Sequence, residues 1–235
     1  MTAIAIIVAA GSGKRFGAEK PKQFLELAGT PIIFHTLQRF EACSAIAQII
    51  VVLPAAETDG FLAKAAKYGL QKLKTVVAGG NTRTASVWNG LNAVEPNSAE
   101  IIAVHDGARP FVTSEEIKRT IEKARETGAA CLVAPVTDTI KEITPDGMIL
   151  QTIDRNTLRR ALTPQCFRIE ILRRAFRKID LLNEQATDES FLVEKLGYQI
   201  SIVEGSPRNI KITVPEDLIL AESLLKLPAS RNSKF

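Results

Sequence analysis

Histidine, cysteine and tryptophan are scarce in this 235-residue sequence, with two, three and one of each. His35 and His105 are too few to build a zinc site together with cysteine. Cys43, Cys131 and Cys166 are an odd number, form no C-x-x-C pair and lie in or beside apolar segments, which fits free thiols in a reducing cytoplasm. No apolar stretch approaches the ~20 residues of a membrane helix. The apolar start, Ala3 to Ala10, has no cation before it and runs into a glycine-lysine loop, so it reads as a buried strand and not as a signal peptide. The net charge of +4 comes without a lysine/arginine tract or interleaved aromatic and basic residues. That excess points away from nucleic acid and toward a local positive pocket for a polyanionic small molecule. No Ser-His-Asp set and no paired carboxylates stand out.

What the sequence does have is alternation. Apolar, β-branched runs take turns with helical patterns through the first half, the mark of a mainly parallel sheet with helices on both faces. Strands are expected at Ala3 to Ala9, at AQIIVVLP, at KTVVAGG and at EIIAVHD. Helices are expected around PIIFHTLQRFEAC, FLAKAAKYG and TASVWNGLNAV, and after the capping box Thr113-x-x-Glu116. Strand ends therefore gather Gly11, Gly80 and Asp106 along the carboxyl edge, where such sheets bind ligands. From Leu132 two β-rich runs, CLVAPVTDTIKEI and GMILQTIDR, flank the turn Thr144-Pro145-Asp146-Gly147. They read as a projecting hairpin which, being marginal alone, packs on a partner subunit; an antiparallel edge of the same sheet is the alternative. Further on, LRRAFRKIDLL and ESFLVEKLG read as helices, YQISIVEG and NIKIT as strands. The box Thr213-x-x-Glu216 opens a last helix at Pro215. The expected fold is α/β, a Rossmann-like three-layer sandwich in a single domain over residues 1–235, with a β-arm at about 136–160.

The stretch VAAGSGKRFGAEKPKQF, residues 8–24, fails two familiar templates. A dinucleotide loop needs glycine or alanine where Phe16 stands, and the next strand ends on Leu53 and Pro54 instead of an acid. A Walker loop fails at the same phenylalanine and lacks a Lys-Ser/Thr pair after Gly17. What remains is a loop in which Gly11 and Gly13 let backbone N–H groups face an anion. Lys14 and Arg15 lie just beyond, and Lys22 follows the stiffening Pro21. Two of these cations, Arg15 and Lys22, on a constrained loop suit a triphosphate.

The pattern A-A-G-x-G-x-R followed by P-K-Q-F resembles nucleotidyltransferases that pass a nucleoside monophosphate to a sugar or polyol phosphate. Further segments, in order, are Gly79-Gly80-Asn81-Thr82-Arg83-Thr84-Ala85-Ser86-Val87, His105-Asp106-Gly107-Ala108-Arg109-Pro110, Asp138-Thr139, Asp154-Arg155, Leu162-Thr163-Pro164-Gln165, Thr187-Asp188-Glu189-Ser190 and Asn209-Ile210-Lys211-Ile212-Thr213. Together, over residues 3 to about 225, they resemble the 2-C-methyl-D-erythritol 4-phosphate cytidylyltransferase family. The sequence departs from that pattern in having no acid from Asn81 to Ser86, Gly107 where alanine is usual and Arg208 where an acid is common.

The resemblance implies transfer of CMP from CTP to methylerythritol phosphate, with Mg²⁺ as cofactor, in a cytoplasmic homodimer that exchanges its arms. It implies catalytic roles for Arg15 and Lys22 at the α-phosphate and leaving pyrophosphate, and for Arg155 and Lys211 on the incoming phosphate. Ala9, Ala10, Gly11, Ser12, Gly13, Lys14, Gly80, Asn81, Arg83, Ser86 and Asp106 would bind the nucleotide; backbone groups of Ala9, Ala10 and Gly80 and the Ser86 hydroxyl would read cytosine. Asp106, Arg109, Thr139, Thr163 and Thr187 would bind the second substrate. Asp106 reads as a Mg²⁺ contact or as an acceptor for a substrate hydroxyl, or else as a simple partner of Arg109. His105 reads as structural. Two rivals stay open: a ribitol 5-phosphate cytidylyltransferase, and a non-catalytic nucleotide-binding regulator.

Overall fold

A computed structural model of the chain describes residues 2–11, 21–178 and 186–227. The elements in chain order are β1 (Ala3–Val8), β2 (Glu26–Leu27), β3 (Thr30–Pro31), α1 (Ile32–Glu41), β4 (Ile46–Leu53), α2 (Phe61–Ala66), β5 (Leu73–Ala78), α3 (Arg83–Asn92), β6 (Ile101–Asp106), α4 (Ser114–Thr127), β7 (Ala129–Pro135), β8 (Ile140–Ile143), β9 (Ile149–Ile153), β10 (Arg159–Arg168), α5 (Ile169–Lys178), α6 (Glu189–Glu194), β11 (Ser201–Glu204) and α7 (Pro215–Lys226). Seven strands form one sheet in the order β11-β7-β10-β6-β1-β4-β5. β10 alone runs against its neighbours, pairing antiparallel with both β6 and β7.

The strands read as unbroken apolar runs because both sheet faces are covered. In β1, Ala3, Ala5 and Ile7 join a core with Ile33, Phe34 and Leu37 of α1 and Ile117 and Ile121 of α4. Ile4 and Ile6 point the other way, into a core with Val87 and Leu91 of α3, Leu172 and Phe176 of α5 and Leu192 of α6. α4 starts where its sequence says: the Thr113 hydroxyl accepts the Glu116 N–H, and the Glu116 carboxylate accepts the Thr113 N–H.

Three expectations are corrected. The CLVAP half of the first β-rich run is not part of the arm but lies in the central sheet as β7. The remainder keeps to the hairpin reading: β8 and β9 form a two-stranded antiparallel sheet of their own, and the alternative of an edge on the large sheet falls away. The hairpin turn uses Gly147 at a φ of 86°, a conformation that favours glycine. NIKIT is not a strand: the Asn209 carbonyl accepts from the Arg109 guanidinium and the Ile212 carbonyl from the Lys22 ammonium, so side chains take the bonds a ladder would make. The cap of α7 sits one residue later than expected, with Asp217 accepting the N–H groups of Thr213 and Val214.

β10 had no counterpart in the sequence pattern, since its arginines and Pro164 mask an apolar strand. Its pairing with β7 shifts register between Ala161 and Gln165, where a proline is tolerated.

Candidate active site

A cleft of about 480 Å³ opens at the carboxyl ends of β1, β5 and β6, within the usual range for ligand sites. One wall is the backbone after β1: Ala9, Ala10 and Gly11. Facing it, the chain leaves β5 through Gly79 and Gly80, and Asn81, Arg83 and Ser86 line the cleft as α3 begins. The two walls come too close for side chains. A Cβ added to Gly79 would lie 2.2 Å from the Ala10 Cβ and 2.9 Å from the Ser86 Oγ, and one on Gly107 would lie 2.7 Å from the Ala9 Cβ. Backbone groups are therefore what this floor offers a ligand. The Ser86 hydroxyl accepts the Gly80 N–H at 3.1 Å and donates to the Thr82 carbonyl at 2.8 Å, fixing the turn. The buried Gln23 carboxamide donates to the Ala9 and Gly11 carbonyls, tying the PKQF segment to the end of β1.

Asp106, the last residue of β6, lies at the centre of a cationic cluster. Its Oδ1 meets the Arg83 Nε at 3.2 Å, and its Oδ2 meets the Arg109 Nε at 3.3 Å and the Lys211 Nζ at 2.9 Å. Burial alone would raise the Asp106 carboxyl, but Arg83, Lys211 and Arg109 together outweigh it and hold the group ionised well below the usual carboxylate range. Arg83 turns its Nη1 to Glu189, whose own carboxyl is pushed up by burial against the pull of that guanidinium. Lys22 lines the same cleft and donates from its ammonium to the Ile212 carbonyl at 2.7 Å.

The backbone of Asp106 is held as firmly as its side chain. The Thr163 hydroxyl accepts the Asp106 N–H at 3.2 Å and lies 2.9 Å from the His105 Nδ1, while the His105 Nε2 lies 3.1 Å from the Arg109 carbonyl. Burial lowers His105 to about 4, so the ring is neutral; it donates from Nε2 and accepts the Thr163 proton at Nδ1. This histidine orders the strand end and does not exchange protons with a ligand.

A pH dependence follows from it. Because the folded-state value is lowered, the unfolded chain takes up a proton first as pH falls, and stability present above about 6.5 is lost down to about 4. Denaturant midpoints should show a loss of about 2 kcal/mol between about pH 7 and 5. Glu189, with a raised value, titrates with the opposite sign, so comparison with His105→Gln isolates the histidine's share. An unchanged slope in that variant would remove the assignment.

Ten of the sequence-predicted residues meet at this cleft: Ala9, Ala10 and Gly11, Gly80, Asn81, Arg83 and Ser86, with Lys22, Asp106 and Lys211. Arg109 joins through Asp106 and the Asn209 carbonyl. Thr163 is buried beneath the cleft with its hydroxyl bonded as above. Thr139 and Arg155 are exposed near the arm, where the Arg155 guanidinium donates to the Thr137 carbonyl at 2.6 Å, and Thr187 is exposed just before α6. Ser12, Gly13, Lys14 and Arg15 lie outside the described residues. The sequence reading missed Gln23, Glu189 and Asn209, whose amide donates to the Thr163 carbonyl at 2.9 Å. The signal was a polar residue inside each quoted motif that structure then buries completely. Arg208, one of the departures, donates to the Leu224 carbonyl and so satisfies the last turn of α7.

Among the described residues no three histidine, cysteine or acidic side chains come together as a metal-holding group. Asp106 is, among the described residues, the acid lining the cleft, and one carboxylate with hard oxygen donors fits a magnesium ion brought in largely on phosphates. Among the described residues no helix is long and apolar enough to cross a membrane.

The family model for 2-C-methyl-D-erythritol 4-phosphate cytidylyltransferase matches residues 3–227. The enzyme of that name from Alkaliphilus metalliredigens is 44% identical over 94% of this chain and 91% of its own. That from Bacillus velezensis is 42% identical over 99% and 100%. The crystal structure of 4-diphosphocytidyl-2C-methyl-D-erythritol synthase from Anaerococcus prevotii superposes with a TM-score of 0.86 at 30% identity, covering 96% of each chain. That of 2-C-methyl-D-erythritol 4-phosphate cytidylyltransferase from Thermus thermophilus gives 0.79 at 34%, over 97% and 100%.

Proposed function

The chain belongs to the 2-C-methyl-D-erythritol 4-phosphate cytidylyltransferase family, and from that premise we propose how its cleft works. The reaction transfers CMP from CTP to 2-C-methyl-D-erythritol 4-phosphate, giving 4-diphosphocytidyl-2-C-methyl-D-erythritol and pyrophosphate, a step of isoprenoid precursor biosynthesis. A phosphate oxygen of the second substrate attacks the α-phosphorus and the α–β bridging bond breaks. With a second pKa near ~6 the attacking monoester is already largely dianionic at neutral pH, so no general base is needed. The difficulty is bringing two polyanions together, which calls for positioning and charge stabilisation.

The observation that carries this reading is the convergence of Arg83, Arg109 and Lys211 on Asp106, with Lys22 in the same cleft opposite a backbone floor. In our assignment the backbone of Ala9, Ala10 and Gly80 and the Ser86 hydroxyl read the cytosine edge in a space too tight for a purine. Gly11 to Lys14, Asn81 and Arg83 hold the rest of the nucleotide. Arg15 and Lys22 stabilise the charge that grows on the α-phosphate and pyrophosphate. Arg155 and Lys211 hold the attacking phosphate in line, with Arg109, Thr139 and Thr187 around the polyol and Thr163 acting from beneath through the Asp106 backbone it holds. Asp106 would hold Mg²⁺, which when bound neutralises phosphate charge. Pyrophosphate release from CTP and Mg²⁺ with methylerythritol phosphate, and none with ribitol 5-phosphate or with CTP alone, is the expected result. Release with ribitol 5-phosphate only, or with neither, would overturn the assignment.

We also read the arm as the means of dimerisation in a single-domain cytoplasmic enzyme. Ile143 and Ile149 are 63% and 65% exposed on a two-stranded ribbon that joins no hydrophobic core among the described residues. An exposed apolar ribbon of this kind is stable when a second copy covers it. In that arrangement Thr139 and Arg155 complete the partner's cleft. The double variant Ile143→Asp, Ile149→Asp should sediment as a monomer, keep CTP binding and lose about 10²-fold or more in turnover, because an unaligned second substrate forfeits its effective concentration. A fully active monomer would end this reading.

A further inference from the structure

Glu189 is 1% exposed and does not line the cleft, yet it grips a residue that does. The Arg83 guanidinium is divided between two acids, its Nε on Asp106 and its Nη1 on Glu189. We propose that Glu189 is a positioning residue for the nucleotide: it keeps the Arg83 guanidinium from closing onto Asp106 with a second nitrogen and holds it turned toward the triphosphate. This rests on the assignment of the cleft as the CTP site.

Arginine forks favour two-pronged pairing with a single carboxylate. Left with Asp106 alone, Arg83 would bring a second nitrogen onto that carboxylate and lie flat against the cleft wall. Glu189 prevents this by taking Nη1, so that only Nε reaches Asp106 and the side chain keeps 26% of its surface open. The holder is itself immobile. At the start of α6 the Asp188 carboxylate accepts the Phe191 N–H at 2.9 Å, and Gln165 of β10 donates to Asp188 at 2.8 Å and accepts the Ser190 N–H at 2.9 Å. Two residues earlier on the same strand, Thr163 fixes the backbone of Asp106. β10 thus fixes both acids between which Arg83 is stretched.

A second observation points the same way. The Glu189 Oε2 is buried and has no hydrogen-bond partner among the described residues. An acid kept only to join α3 to α6 would waste that oxygen, and an amide or an apolar pair would serve at lower cost. An acid kept for its charge on one guanidinium need use only one oxygen.

Glu189→Gln preserves the shape and removes the charge. KM for CTP, read by pyrophosphate release, should rise about tenfold while KM for methylerythritol phosphate stays within about twofold, since a small misplacement of one binding group carries costs of this size. In an Arg83→Met background the same substitution should add nothing, because it acts through Arg83. An unchanged KM for CTP, or an equal further loss in that background, would overturn the proposal. Calorimetric titration with CTP keeps the two readings apart. If the wild-type protein did not turn over methylerythritol phosphate, a tenfold weaker CTP affinity in Glu189→Gln would still support the positioning role, and an unchanged one would refute it. Melting curves for the two single variants show whether fold loss accounts for the change.

Discussion

Lys22→Ala is expected to lower kcat at saturating CTP by about 10²–10³, the usual cost of removing one group aimed at charge that develops in the transition state. Lys22 opens a short 3₁₀ turn behind Pro21, whose backbone is extended at φ −56° and ψ 133°, so the lysine enters the cleft from a stiff approach. Its ammonium donates to the Ile212 carbonyl, next to Lys211 and 190 residues along the chain. In the proposed assignment, that bond ties a cation of the nucleotide side to the segment bearing Lys211, a cation of the second-substrate side, before any ligand arrives. A cation that acts on the leaving pyrophosphate should lower kcat and kcat/KM alike, with KM for CTP nearly unchanged; one that only binds the ground state should raise KM and spare kcat. Lys22→Arg, which keeps the charge but changes its shape, should recover part of the loss. Turnover of Lys22→Ala within about threefold of wild type would be under 1 kcal/mol of barrier and would exclude Lys22 from the proposed catalytic set.

The residues that were legible in the sequence are those whose role is set by local pattern. β1 could be read because burial on both faces demands an unbroken apolar run, and its end, with those of β5 and β6, could be placed along one edge because parallel strands share a direction. The cap of α4 could be read because both partners lie within one turn. β10 could not, because a single antiparallel strand bearing arginines and a proline carries no period of its own. Its place between β6 and β7 is fixed by pairing and not by composition. Nor could the partner of Arg83 be read, since Glu189 lies 106 residues away and nothing local marks it as a buried acid. NIKIT erred in the other direction: its apolar alternation is real, but its carbonyls meet Arg109 and Lys22 before any strand can claim them. Hydrophobic period tells which face is covered; it does not tell which polar groups then meet.

Asp106→Asn is expected to be the most destabilising change at the cleft. The carboxylate is buried and is shared by Arg83, Arg109 and Lys211, so neutralising it leaves three cations facing one another and an amide whose N–H groups point the wrong way. Breaking a buried ion pair from one side costs about 3–5 kcal/mol, which for a chain of this size lowers Tm by roughly 6–20 °C. The sign with pH is set by the depressed folded-state value: the stability is fully present above the ordinary carboxyl value of about 4 and fades as pH falls through the lower, folded-state one, so measurement near pH 7 sees all of it. The loss should also be reversible by ligand. In the proposed assignment CTP brings phosphate charge to Arg83 of this cluster, so it should raise the Tm of Asp106→Asn by more than it raises that of the wild type. A larger ligand-induced rise in the variant means that in the free enzyme Asp106 stands in for the phosphates, keeping mutually repelling cations assembled until the nucleotide replaces it. A variant that melts within about 2 °C of wild type, less than about 1 kcal/mol for a chain of this size, would show that the cluster is held by its backbone and not by this charge.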